Sequence, residues 1–113
     1  MSQITTHVLN TMTGKPAEGI LIVLEEKNKK GKWSELASGI TDNDGRISNL
    51  LSIDRIMEAG VYRMTFEVKT YFDKQDLDCF YPNVPIVFEI KDQSHYHIPL
   101  LLSAFGYSTY RGS

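Results

Sequence analysis

Residues 61–68 read VYRMTFEV, and this stretch indicates the fold class. Apolar side chains occupy every second position, so Tyr62, Met64 and Phe66 share one face of an extended strand while Arg63 lies on the other. A strand with one apolar and one polar face is typical of an antiparallel sheet with one side in solvent. The stretch therefore predicts a sheet whose apolar face packs against a second layer.

The same alternation recurs along the chain. It predicts six further strands, at residues 4–10, 20–26, 33–40, 84–90, 96–102 and about 106–111. Turn-forming sequences at 13–16 and 42–45 end two of these runs. Only residues 70–78 space their apolar side chains as a helix does. Many short strands joined by turns predict an antiparallel sandwich.

Length and charge exclude several classes of protein. A chain of 113 residues and 12.9 kDa can bury about two-thirds of its surface on folding, enough for one core, so we expect a single domain over 1–113. The 42% hydrophobic and 23% charged residues exclude a disordered or coiled-coil protein. A net charge of -2 argues against nucleic acid or an anionic membrane as a partner.

The sequence predicts a cytoplasmic protein. The single cysteine, Cys79, cannot form an intramolecular disulfide, which fits a reducing compartment. No secretory signal is recognisable at the first residues, and the apolar run at 20–24 is far too short to span a bilayer. Cys79 also has no histidine near it in sequence, so we expect a small buried residue rather than a nucleophile.

Histidines are the first candidates for chemistry, because an imidazole can gain and lose a proton near neutral pH. The chain has three: His7, His95 and His97. The strand pattern places His95 and His97 on one face, about 7 Å apart. With His7, a three-histidine zinc site is one interpretation, although no carboxylate is evidently placed to complete it. The alternative is that each histidine is an ordinary strand-surface residue.

The sequence DNDGR at 42–46 is the second candidate region. It resembles part of a calcium loop, but with Gly45 at the sixth position the first ligand would be Ile40, which has no side-chain oxygen. A sharp turn that places Arg46 at the start of the next strand is the simpler interpretation. The guanidinium of Arg46 could bind a carbonyl or a developing oxyanion, or it could be a solvated surface group.

Several separated blocks together resemble one known family: residues 4–10 with 14–16, residues 41–46, residues 79–82, and residues 95–97 through the terminal YRGS at 110–113. The resemblance is to the 5-hydroxyisourate hydrolase branch of the transthyretin-like family. The terminal YRGS is the signature of that branch and is absent from the hormone carrier. The match runs almost from end to end.

The resemblance implies a fold of two four-stranded antiparallel sheets with one short helix. It also implies a homotetramer, a dimer of dimers with active sites at the dimer–dimer interface. The implied substrate is 5-hydroxyisourate from urate breakdown, hydrolysed to 2-oxo-4-hydroxy-4-carboxy-5-ureidoimidazoline. Neither a metal nor an organic cofactor is implied.

The family's catalytic positions map onto four residues: His7, Arg46, His97 and Ser113. The resemblance gives His97 the role of base toward water, with Ser113 holding that water or the ring. His7 and Arg46 would also bind substrate carbonyls and steady the developing charge. Tyr110 would contact the ring of the substrate.

We also expect Arg111 to bind substrate and to pair with a nearby carboxylate.

Two other classes of function share such a sandwich: a small-molecule or hormone carrier, and a structural module without chemistry. The histidines, Arg46 and the terminal segment argue against both.

Overall fold

The structure is a computed structural model that describes residues 2–113. It contains eight strands and one helix: β1 (Ile4–Asn10), β2 (Lys15–Pro16), β3 (Leu21–Lys27), β4 (Trp33–Ile40), β5 (Gly60–Glu67), α1 (Val68–Asp73), β6 (Val84–Ile90), β7 (Tyr96–Ser103) and β8 (Gly106–Thr109). No helix within these residues is long and apolar enough to cross a membrane.

The strands form two four-stranded sheets. The first sheet has the order β2-β1-β7-β8 and the second has the order β4-β3-β5-β6. The predicted sandwich of two four-stranded sheets with one short helix is confirmed. Every strand pair is antiparallel except β1 and β7, which run parallel. The alternation of side chains assigns faces but not strand direction, so it could not reveal this exception.

The inward faces of both sheets form the core. Met64 and Phe66 from β5 are fully buried, as the alternation predicted, and they share the interior with Leu100 and Leu102 from β7. Residues of this size each stabilise the fold by about 1.5–3 kcal/mol when they are removed from water. Burial of one face thereby fixes the register, since a slip of one residue would turn these side chains to solvent.

Most predicted strands lie where the sequence placed them. Strands over 4–10, 33–40 and 84–90 are confirmed to the residue. The strand predicted at 96–102 continues to Ser103, and the one predicted at about 106–111 ends at Thr109.

The helix differs from its prediction over 70–78. It begins at Val68 and ends at Asp73, because Val68 and Phe72, one turn apart, are the residues it buries. The chain then leaves the helical conformation in a turn where Asp76 has a φ of 55°. Leu77, which completed the apolar spacing in the sequence, is instead 39% exposed.

Candidate active site

The outer face of the first sheet brings two histidines together. In β1 alternate residues are buried in the core, so Thr5 and His7 point away from it, and the same alternation in β7 turns His97 outward. Because β1 and β7 are parallel neighbours, Thr5 pairs with His97 and His7 pairs with Pro99. The one parallel strand pair among residues 2–113 therefore forms the base of the site.

A tight turn carries Arg46 to the same place. The carboxylate of Asp42 accepts hydrogen bonds from the backbone N–H of Asp44 at 2.8 Å and of Arg46 at 3.1 Å, which fixes the shape of the turn. The prediction that Arg46 begins a strand is wrong, because residues 41–59 form turns and irregular backbone. The Asp42 side chain bonds to the backbone N–H groups that a strand would use for pairing.

Gly45 allows this turn to pack directly on β1. The backbone N–H of Val8 donates to the Gly45 carbonyl at 2.9 Å. Gly45 has a φ of 72°, and a Cβ there would clash with the Val8 carbonyl oxygen. That Cβ would also lie 3.3 Å from Cδ2 of His7, so the imidazole packs against the turn that carries Arg46.

The imidazole of His97 is held on two sides. Its Nδ1 lies 2.8 Å from Oγ1 of Thr5. On another side, the backbone N–H of Gly112 donates to the His97 carbonyl at 2.9 Å, and a Cβ on Gly112 would lie 2.5 Å from Cδ2 of the ring. The terminal segment thus lies against His97 at a distance that only glycine permits.

These groups surround a cleft of about 390 Å³. Arg46, His97 and Ser113 line it, together with Thr5. His7 does not line the cleft, but its ring lies close enough to Arg46 and His97 for their charges to act on one another. The structure therefore places the four residues expected to be catalytic in one region.

Burial and the charge of Arg46 both favour the neutral form of the two imidazoles. Burial lowers the pKa of His97 below its ordinary value, and the positive charge of Arg46 lowers it further, followed by His95 and His7. Burial and then Arg46 also lower the pKa of His7, against a smaller opposite effect of the Asp44 backbone carbonyl. A neutral imidazole can accept a proton, which a base requires.

The guanidinium of Arg46 has no acidic partner. Within residues 2–113 no carboxylate lies within 4.0 Å of it, although ion pairs form elsewhere in the molecule. An unpaired guanidinium at the edge of a cleft is free to bind an anionic or carbonyl oxygen of a ligand.

Tyr110 and Arg111 lie in a neighbouring cavity of about 380 Å³, which His97 also lines. The Arg111 guanidinium lies 4.2 Å from the Tyr96 ring and donates to Ser94 Oγ and the His95 carbonyl, each at 3.2 Å. It therefore anchors the segment that contacts His97.

Pairing of Arg111 with a carboxylate stays a prediction: among residues 2–113 none lies within 4.0 Å of its guanidinium, but its charge acts on the nearby Asp92. The nearby carboxylate of Asp92 instead accepts hydrogen bonds from the Ser94 N–H and hydroxyl and from the Tyr96 hydroxyl. These bonds lower the pKa of Asp92, and the charge of Arg111 adds to the lowering.

The zinc interpretation has no geometric support across residues 2–113, where no group of three or more His, Cys, Asp or Glu side chains is arranged to hold a metal ion. His95 and His97 do share a face, with ring centroids 6.2 Å apart. Each ring, however, already has a nitrogen that is hydrogen-bonded to the Thr5 hydroxyl.

Cys79, expected to be a small buried residue, is half-buried, and its thiol donates a hydrogen bond to the Tyr81 carbonyl at 3.3 Å.

Sequence reasoning missed Thr5 as part of the site, and it included Gly112 only within the terminal segment 110–113, without a role of its own. Thr5 precedes His7 by two positions, so the period of a strand could have placed it on the same face. The close approach of Gly112 to His97 depends on tertiary structure and leaves no signal in the sequence.

Comparison with known proteins shows the family to which this chain belongs. A sequence model described as the HIUase/Transthyretin family matches residues 4–112. This chain belongs to that family. It is 48% identical over 111 residues to a 5-hydroxyisourate hydrolase of Salmonella typhimurium, covering 97% of this chain and 80% of the relative.

Solved structures of the family include both an enzyme and a transthyretin. The Klebsiella pneumoniae 5-hydroxyisourate hydrolase is 34% identical, with a TM-score of 0.85 over 100% of this chain and 94% of its own. The transthyretin of Sparus aurata is 32% identical, with a TM-score of 0.92 over 99% and 97%. The fold is therefore shared by both kinds of protein, and the side chains at the cleft must distinguish them.

Proposed function

We propose that this chain hydrolyses 5-hydroxyisourate. The observation that carries the proposal is the imidazole of His97 in one cleft with the guanidinium of Arg46, which has no carboxylate within 4.0 Å among residues 2–113. The curated relatives that share 48% of its residues are named as hydrolases of this substrate. The pair matches the chemistry, because opening a cyclic amide by water needs a base and a stabiliser of oxyanion charge.

The His97 imidazole is the base. A free ring nitrogen accepts a proton from a water molecule as the water oxygen forms a bond to a ring carbonyl of the substrate. The carbon–nitrogen bond next to that carbonyl then breaks, and the imidazolium returns its proton to the departing nitrogen. No proton or electron is gained or lost overall, and the chain needs neither a metal nor a cofactor for these steps.

Arg46 and His7 bind the carbonyl oxygens of the substrate. The Arg46 guanidinium faces the oxygen on which negative charge develops, where one such donor contributes roughly 3–4 kcal/mol to lowering the barrier. Ser113 lines the same cleft and holds the attacking water or the His97 ring.

Substrate contacts by Tyr110 and Arg111 stay a prediction. Both side chains line the cavity next to the cleft, and His97 borders both spaces. A ligand that extends past His97 would reach Tyr110, which is 58% exposed. Arg111 contributes by holding this segment in place.

The homotetramer, a dimer of dimers, is part of the same proposal. Strands β6 and β8 are edge strands of the two sheets, and residues of both line the cavity beside His97. Open edges favour pairing with another chain. Light scattering on the purified protein measures the number of chains in the assembly. A cytoplasmic location is also part of the proposal, and cell fractionation tests it.

An absorbance assay tests the activity. 5-Hydroxyisourate is generated in the cuvette from urate and urate oxidase, and its ultraviolet decay is followed with and without the protein. We expect a large acceleration that falls about 10²- to 10⁴-fold in His97→Asn, which lacks the proton acceptor. An unaccelerated decay with folded protein would overturn the hydrolase and turn attention to small-molecule carriage. Nearly normal turnover by His97→Asn would remove His97 from the role of base.

A further inference from the structure

A single hydroxyl group connects two histidines on the outer face of the first sheet. Thr5 Oγ1 lies 2.8 Å from Nε2 of His95 and 2.8 Å from Nδ1 of His97. The two rings are nearly parallel, with 22° between their planes. Neither Thr5 nor His95 is among the residues to which the proposed reaction assigns a role.

The number of hydrogens limits how these three groups can bond. A hydroxyl donates one hydrogen bond and can accept others, and a neutral imidazole has one N–H and one acceptor nitrogen. If Thr5 donates to one ring, it must accept from the other. The hydroxyl thus places a hydrogen on the facing nitrogen of one histidine and leaves the facing nitrogen of the other bare.

We propose that Thr5 and His95 are positioning residues that hold His97 with its hydrogen on Nδ1, so that Nε2 is free to accept the proton of water. This inference rests on the proposed hydrolase reaction, and it assigns the Thr5 hydroxyl as donor to Nε2 of His95 and acceptor from Nδ1 of His97. The reverse arrangement would put the hydrogen on Nε2 and remove the base from the cleft.

A second influence agrees with this direction. The backbone carbonyl of Thr5 raises the pKa of His97 against the larger effects of burial and Arg46, and so favours its protonated form. A carbonyl oxygen only accepts hydrogen bonds, so it favours an N–H on the side of the ring that faces Thr5, which is Nδ1. His95 supplies the complementary acceptor, which directs the hydroxyl hydrogen away from His97.

The arrangement also suits the charged state that forms during reaction. When Nε2 gains a proton, the Nδ1–H bond to Thr5 is unchanged, so no group near the ring must reorient. Three groups near His97 oppose a positive ring: Arg46 on the turn, His7 on β1 and His95 directly before β7. Asp42 and the terminal Ser113 line the same cleft. A fixed acceptor at Nδ1 partly offsets that opposition.

The test compares side chains that keep or lose the hydroxyl. Thr5→Val should lower kcat roughly 10- to 100-fold with KM within about threefold, a smaller loss than the ~10⁴-fold seen when a protease triad holds the wrong tautomer. Thr5→Ser should restore most of kcat. His95→Phe should resemble Thr5→Val, whereas His95→Gln keeps an acceptor for the hydroxyl and should be milder. Thr65→Val, which removes a hydroxyl from the second sheet, is the matched control and should leave kcat unchanged.

Nitrogen-15 NMR of the histidine rings reads the tautomer without any turnover. In the wild-type protein, His97 should show a protonated Nδ1 and a bare Nε2, and Thr5→Val should give a mixture of tautomers. A wild-type His97 protonated at Nε2 would overturn the inference, as would full kcat in Thr5→Val. A wild-type protein with the expected tautomer but no activity would instead remove the hydrolase proposal and leave the hydrogen-bond assignment intact.

Discussion

An arginine lies at the outer face of each sheet, and the surroundings of the two charges differ. On the second sheet, Arg63 donates from Nε and Nη2 to Glu25 at 2.9 and 2.8 Å, and its guanidinium lies 4.4 Å from the Trp33 ring. Every partner that this cation needs is supplied by the neighbouring strands. The cluster is a surface feature that contributes on the order of 1 kcal/mol to stability.

At the first sheet, Arg46 lies on the turn that packs against β1, and within residues 2–113 no carboxylate lies within 4.0 Å of its guanidinium. Its charge lowers the pKa values of His7 and His97 instead of being cancelled. The comparison shows that an arginine paired with a carboxylate contributes to a surface cluster, whereas one without such a partner lowers the pKa values of the imidazoles near it. Two arginine variants test this contrast directly.

Of the variants that test this contrast, Arg46→Gln has the largest expected effect. Arg46→Gln should lower kcat/KM about 10²- to 10³-fold, because a donor to the developing oxyanion is lost. Arg63→Gln should leave kcat/KM unchanged and lower the free energy of unfolding by about 1 kcal/mol. The hydroxyisourate assay and chemical denaturation measure the two quantities. Equal losses of activity in both variants would contradict the contrast between the faces.

A smaller loss is expected from adding one methyl group beside His97. Gly112→Ala places a Cβ 2.5 Å from Cδ2 of the ring, so either the ring or the terminal segment must shift. Since a displacement of about 1 Å can cost 10²-fold in rate, kcat should fall roughly 10- to 100-fold. Gly106→Ala is the control, because its Cβ would meet nothing closer than Ser103 Oγ at 3.7 Å. Unchanged kcat in Gly112→Ala would show that the segment does not position the ring.

The smallest expected effect is a displacement of the pH profile. The pKa of His97 in the folded protein is lowered from 6.5, so the wild-type enzyme should keep its activity as the pH falls through 6.5 and lose it only at lower pH. Arg46→Gln removes one cause of that lowering, so the acid limb of its residual activity should move to higher pH. The limb of Arg63→Gln should stay where it is. An unmoved limb in Arg46→Gln would mean that Arg46 does not act on the titrating group.

Sequence alone predicted most of the sandwich. Strand alternation is a local property, and the burial of one face enforces it, so β1, β4 and β6 were located to the residue. The helix was displaced because Leu77 fits a helical spacing in sequence, yet the left-handed conformation at Asp76 follows a turn that ends the helix first.

The site was predictable as a set of residues but not as a geometry. Family resemblance named His7, Arg46, His97 and Ser113, and the structure places them together. The resemblance could not give the distances and hydrogen bonds between these residues, because those depend on the direction in which the strands run and on how closely the backbone segments approach. The shared hydroxyl of Thr5 is one of these, because it follows from a parallel pairing that no local pattern encodes.

The parallel pairing of β1 with β7 also determines at what stage of chain synthesis the cleft can form. The two strands that carry Thr5 and His97 are 92 positions apart in the chain, whereas the neighbouring strands β3 and β4 form a hairpin from adjacent segments. At a ribosomal rate of about 5–20 residues per second, β1 waits roughly 5–18 seconds for its partner to be synthesised. During that interval β1 has no β7 to pair with, so its apolar face is not yet covered. The same holds for any strand whose partner lies far away in sequence. A nascent chain can therefore fold much of its second sheet early, but the cleft can form only after β7 has been synthesised.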